Sequence, residues 1–596
     1  MKEIPMDKLL TVVRDGVEIS AVPGAEYAEG EIILTDTLPI AHSCELSETK
    51  KTDYRAALYV TKDGVDAARS AQAAVSGGAY DDSRADGLRI ESRSHDFSAV
   101  LVDGGRYVIK DAKLRLLSDA DGSDTCDFVG LGAAVGAFNG AHVEIDSSEI
   151  ATEGVARCTV FCDGGSDVVV KDSKLSVMGG KLYDGYVNSA DFNFMVATPW
   201  VLGIMGNARG TNLMGEKSST VLVNTDITAR NWGVLSTDNG ENNVLAVIDC
   251  TLTLVGGEED RKNPYHKTYG SGYGTYILGC DEEFRGVKMR VGTYIGIARE
   301  GNAVYRSSRG PVKIVSPTTG EVLFEGEGRG EVSELHSDGF GIMAHDRAEL
   351  TLTDGTIMDT QSAAFLLRSG GVHIRVEDGA KVTAADGVLL QILDDDDMSV
   401  GVNWDGDIEL EFHTEFNEKE GWPSENGQIS SIMPPPDPAA MPPMEEGMEP
   451  PPPPLPDVTF TAKDVFLSGA LYNGSGYYGQ KSKHLYVTLG AGAVLTGTIS
   501  ATETVHVDEN GRQNTHFTSA EYYYLGRVAN RVFHNGDNDV EVRLEAGSVW
   551  NVTESGLITA LTVEAGAVLN GRVLVDGAAV VPEAGKEYRG RITVAP

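Results

Sequence analysis

The chain has 596 residues, 49 of them basic and 89 acidic, for a formal net charge of −40. That balance excludes a general nucleic-acid binder, because phosphate recognition runs on lysine and arginine, and 41% hydrophobic content is too high for a disordered acidic chain. Glycine, at 70 residues, is dispersed along the chain as punctuation, which argues for one elongated repetitive fold over several compact domains.

Residues 1–90 are the least regular and are expected to cap the fold, with AARSAQAAVSGG (67–78) predicting a short helix. From 91 to 432 a unit recurs: alternating apolar and polar residues, a turn of Asp, Gly, Ser or Ala, then further apolar residues. It is seen in YVIKDAKLRL (107–116), VVVKDSKLSV (168–177), VLVNTDIT (221–228) and LTLTDGTI (350–357). The central apolar position steps from Ile145 to Val170, from Val223 to Ile248 and from Leu352 to Val376, about two dozen residues each time. Period-2 alternation predicts strands, and a repeat this short buries its apolar face only by stacking on its neighbours. Residues 433–456 are a proline-rich loop or linker, and 457–596 resume the β pattern in phrases such as LTVEAGAVLNGRV (561–573). The expectation is an all-β fold: a right-handed parallel β-helix, or β-solenoid, in a single elongated stack with an N-terminal cap and a Pro-rich loop.

These repeats resemble the right-handed parallel β-helix proteins of the pectate-lyase-like superfamily, and the C-terminal coils resemble bacterial adhesin and autotransporter solenoids. The resemblance implies a carbohydrate-active enzyme, a lyase or glycoside hydrolase taking an anionic glycan across enlarged loops at 180–310. A non-catalytic adhesin-like or carbohydrate-binding solenoid, and an enzyme acting on a small non-sugar anionic or aromatic molecule, are the alternatives.

The enlarged loops hold 13 of the chain's 42 aromatic residues, and residues 261–313 carry ten basic side chains against four acidic ones. Aromatic faces stack on sugar rings and arginine captures carboxylates. For β-elimination the candidates are Arg306 or Arg309 against the substrate carboxylate, His266 or Lys267 as base, and Tyr269 or Tyr273 as acid. Tyr265, Trp200, Trp232, Asp238 and Arg261 are the candidate substrate-binding residues. Hydrolysis instead needs two carboxyl groups, drawn from Asp184, Asp191, Asp226, Asp238 and Glu241. Asn224-Thr225-Asp226 is similar to the N-T-D triplet of polygalacturonase-type hydrolases, without the G-H-G or R-I-K elements of that family. His336, Asp338, His345 and Asp346 form a secondary polar group.

No cofactor is expected, apart from Ca²⁺ at the run Asp394 to Asp397 as a weaker candidate. The six cysteines lack CxxC spacing and suit core filling better than zinc. The expected partner is a glycan or other small anionic substrate, with no nucleic acid and no membrane. The N-terminus shows no apolar run of signal-peptide length, so the chain as given is expected to be cytoplasmic, or secreted or cell-surface if trimmed.

Overall fold

In a computed structural model, the described residues are 5–44, 50–118, 124–180, 208–230, 232–256, 272–367, 370–393, 400–404, 408–412, 457–475, 484–508, 510–512, 527–534, 536 and 538–596. Their strands stack in parallel as three ladders, which successive stretches of chain visit in turn. The first ladder runs through Phe97–Asp103, Val135–Phe138, Val160–Cys162, Ala208–Glu216, Trp232–Glu241 and Gly272–Leu278. The second runs through Arg106–Lys110, His142–Asp146, Asp167–Lys171, Ser219–Val223, Asn243–Ile248 and Cys280–Arg285. The third begins Lys113–Leu117, Glu149–Glu153, Lys174–Met178. Long strands such as Tyr294–Arg306 and Phe340–Leu352 belong to the first ladder and then the second, so one hydrogen-bonded network joins 43 strands. This long, mostly parallel array of coils is the architecture of a β-solenoid.

The two-dozen-residue repeat is the coil. Ile145 pairs with Val170, Val223 with Ile248, and Leu352 with Val376. Between the second and third ladders each coil turns on a left-handed residue: Asp111, Ser147, Asp172, Asn224 and Asp249 all have φ between 49° and 52°. Asp and Asn tolerate that conformation because a short polar side chain bonds locally. Asn224 of the N-T-D triplet is such a corner, and the hydroxyl of Thr225 donates back to the Val223 carbonyl at 3.0 Å.

Inside, a continuous apolar core follows every coil, with Ile109, Ile145, Val170, Leu222 and Val247 stacked in register. A buried carboxyl interrupts it at Glu282. Glu282 lies between Leu245 and Ala303 in an inward-facing column, 2% exposed, and accepts from the Thr275 hydroxyl at 2.7 Å. Burial pushes its pKa up to about 8. The six cysteines are free, and all but Cys126 are buried.

Val223 and Ile248 are in register but face outward, beneath an antiparallel hairpin of Pro311–Val315 and Val322–Glu327. This strap leaves the coil between the second and third ladders and folds back over the outer side of the second. Val312, Ile314 and Leu323 pack there on Val169, Val221 and Ala246. The run Val168-Val169-Val170 is buried on both faces for that reason.

Antiparallel strands cover the ends: Lys8–Arg14 with Ile32–Asp36 at one, Gly556–Val563 with Glu587–Ala595 at the other. Within 67–78 only Gln72–Ala74 is helical, a single 3-10 turn before the strand Val75–Tyr80. The proline tract lies outside the described residues. The second ladder passes from His373–Glu377 to Val458–Lys463, and the first from Val388–Ile392 to Ala470–Ser475. Among the described residues no helix is long and apolar enough to cross a membrane.

Candidate functional site

The longest insertions before residue 280 leave the third ladder and return on the first. Residues 118–134 precede Val135–Phe138, 179–207 precede Ala208–Glu216, and 255–271 precede Gly272–Leu278. A short helix, Asp124–Val129, belongs to the first of them. The outer side of the first ladder next to these returns carries a buried polar constellation.

Its centre is Arg209. The guanidinium is ion-paired on one side with Asp127 of the short helix and on the other with Asp238, whose Oδ2 lies 3.2 Å from Nε. Nε donates its one hydrogen to the Ser236 hydroxyl at 3.0 Å, and Ser236 is 2.8 Å from the Tyr273 hydroxyl. The guanidinium sits over the Phe128 ring at 5.5 Å. Register explains the assembly: Arg209, Gly233 and Tyr273 are neighbours on adjacent rungs. A Cβ at Gly233 would meet the Tyr273 ring at 2.3 Å, so only glycine lets that ring cross toward Ser236. Beyond it the column continues on the next rungs through Tyr294 and Phe340, stacked at 5.5 Å, while Trp232 meets Tyr273 edge-on at 6.2 Å.

Asp127, Arg209, Trp232, Asp238 and Tyr273 are 1–5% exposed. Burial raises the Asp238 carboxyl above its usual range against the pull of Arg209, and pushes the Tyr273 and Tyr276 phenols up to about 12. Both phenols are therefore protonated donors near neutral pH. Among the described residues, the buried Trp232 indole N–H and Asn212 carboxamide oxygen make no hydrogen bond.

Of the residues singled out from sequence, Trp232, Asp238 and Tyr273 thus come together. Arg306 does not join them: it lies on the second ladder, 3.8 Å from Glu283 and 3.5 Å from Asp354. Arg309 is exposed in the turn entering the strap. Trp200, Arg261, Tyr265, His266, Lys267 and Tyr269 lie outside the described residues, as do Asp184, Asp191 and the run Asp394 to Asp397. Asp226 is exposed at the start of a third-ladder strand. Glu241 ends the strand that carries Asp238. The basic window is dealt out by strand alternation: Arg285 pairs with Glu283 on the second ladder, Arg290 is on the third, Arg299 on the first, and Lys313 on the strap. His336 is held between Asp338 and Asp359, 3.2 Å from each.

Arg209 and Asp127 were not among the sequence candidates. The apolar-flanked arginine opening a strand after a long insertion was the available signal for the first. Asp127 had none, since a six-residue helix in a loop shows no periodicity. Among the described residues no cluster of His, Cys, Asp and Glu is arranged to hold a metal ion. No family model matches the chain, and comparison with curated proteins and with solved structures found no similar one.

Proposed function

We propose that the protein is a carbohydrate-active right-handed parallel β-helix enzyme, similar in kind to the pectate-lyase-like superfamily, and that its chemistry is glycoside hydrolysis on the outer side of the first ladder. The right hand is the one that parallel strand–crossover–strand units adopt. The observation that carries the activity is the pair Asp127 and Asp238 bracketing Arg209. Two carboxylates bound to one guanidinium fork stand roughly 5–8 Å apart, two hydrogen-bond lengths plus the fork, which is the range glycosidases use. Asp238, raised by burial, is assigned as the acid that protonates the leaving oxygen, and Asp127, the other carboxylate of the pair, as the base that takes the proton of the attacking water. Elimination is less well supported, because Arg306 stands on a different ladder and Arg209 is already neutralised.

A second reading, a non-catalytic carbohydrate-binding solenoid, is favoured by the depth of the constellation, with Asp127 at 1% and Asp238 at 5% exposure. The test is release of reducing ends from neutral, amino-bearing and uronic-acid polysaccharides by the full chain. Asp127→Asn and Asp238→Asn should each lower kcat by roughly 100-fold or more. If no polysaccharide is cut, the hydrolase is excluded; binding without turnover then supports the second reading.

A further inference from the structure

Behind the first-ladder constellation, on the inner side of the same strands, lies the Glu282 carboxyl. Two of its contacts come from those strands: Thr275 of Gly272–Leu278 and Thr237 of Trp232–Glu241. Alternation turns both threonines inward, while their chain neighbours Ser236, Asp238 and Tyr276 face the site. A change at Glu282 therefore reaches the site through one residue of each strand.

The two threonines offer the carboxyl different things. The Thr275 hydroxyl donates to Oε2 at 2.7 Å. Thr237 has a single hydroxyl hydrogen, which goes to the Tyr276 carbonyl at 2.9 Å, and the same oxygen accepts from the Leu278 N–H at 3.0 Å. Toward Oε1, 3.4 Å away, Thr237 is left with a lone pair. An ionised carboxylate is repelled there, whereas a protonated one donates. The core around it, with Leu235, Leu245, Leu252, Met289 and Ala303, supplies no charge. Among the described residues no arginine or lysine offsets its burial. The titratable groups beside it are the Cys280 thiol of its own strand and the Tyr305 phenol of Tyr294–Arg306. Burial first, and Glu282 second, push both well above their usual values, so both stay neutral.

We propose that Glu282 is a proton-dependent latch behind the first-ladder site: the neutral acid bridges Thr275 and Thr237 and ties both site-bearing strands to the second ladder, and loss of its proton to solvent breaks the Thr237 contact and loosens them. Its titration at about 8 puts that change at mildly alkaline pH. The latch does not depend on hydrolysis at the site, since its readouts are of local order and of the carboxyl itself.

The test is hydrogen exchange read by mass spectrometry on the full chain, with protection corrected for the intrinsic pH dependence of exchange. Raising the pH from about 6.5 to about 9.5, more than a unit to either side of the titration, should lower protection at least tenfold in peptides covering Trp232–Glu241 and Gly272–Leu278. Val540–Leu544, many coils away, should change less than about twofold, because coils contact only their neighbours. Glu282→Gln, which turns an amide donor toward Thr237 and has no proton to lose, should show no such loss. Thr275→Val removes the hydroxyl that supports the ionised form, so the loosening should start about half a pH unit or more higher. Infrared difference spectra of wild type against Glu282→Gln should show a protonated-carboxyl stretch at about pH 6.5 that fades together with protection as pH rises. Equal loss of protection in Glu282→Gln, loss spread evenly over the remote coils, or absence of that infrared band would each overturn the assignment. A polysaccharide assay that fails while these results hold would overturn the hydrolase and leave the latch standing.

Discussion

The outer sides of the first and second ladders are built on the same pleat and the same register, yet they differ in where their charge resides. On the first, Asp127, Arg209 and Asp238 are withdrawn from water and depend on one another. On the second, Asp281, Glu349 and Arg375 face an open cleft, and the neighbouring strands are apolar only where the strap covers them. The lesson is that coil geometry supplies a uniform surface and insertions assign its chemistry. A side chain at the same rung position is a buried ion, a strap contact or a cleft wall according to which loop returns over it.

The contrast breaks most visibly if Arg209 is removed. Arg209→Met leaves two buried carboxylates without their cation, and denaturant unfolding should show a loss of about 3–5 kcal/mol; a loss below about 1 kcal/mol would mean that water reaches the pair. Glu282 tests the interior between the two ladders. Its folded pKa, about 8, lies above the unfolded value near 4.5. Its contribution is thus fully present below pH 4.5 and is lost as pH rises through 8, at roughly 1.4 kcal/mol per pH unit in between. Glu282→Gln should therefore unfold with little of that dependence and be the more stable protein at pH 9, by several kcal/mol on the same arithmetic. Matching melting curves across that range would remove the buried carboxyl from the account.

Smaller effects sharpen the second ladder. Val312→Asp should detach the strap, exposing Val169 and Val221, at a cost of about 2 kcal/mol and with increased binding of a hydrophobic dye. Arg106→Ala removes the ion pair to Glu321 at the strap's tip. Both partners are more than half exposed, so the change in unfolding free energy should stay below about 1 kcal/mol.

Much of the fold was legible in the sequence because its signals are local. Alternation marks strands whatever their neighbours, and Asp172 or Asn224 can adopt a left-handed corner on its own. Alternation says which residues share a face, but not which face is wet. Val223 and Ile248 were correctly paired, yet they lie outward under the strap, since a strand covered on both sides loses the contrast that betrays its inside. For the site, Trp232, Asp238 and Tyr273 were visible as an aromatic, charged interruption of the repeat. Arg306 was visible in the same way and went elsewhere, because residues alternate between faces and successive strands belong to different ladders.

By itself, then, the sequence determined the strands, the coil length, the corners and the stacking of like on like, all consequences of a period-2 pattern repeated every two dozen residues. Only the tertiary structure decided that Asp127 meets Arg209, that Gly233 makes room for Tyr273, and that Asp281, Asn302 and Glu349 floor one cleft. Such meetings depend on which rung each strand occupies and where each insertion returns. Those are set by the packing of distant segments against one another, and no local pattern encodes them.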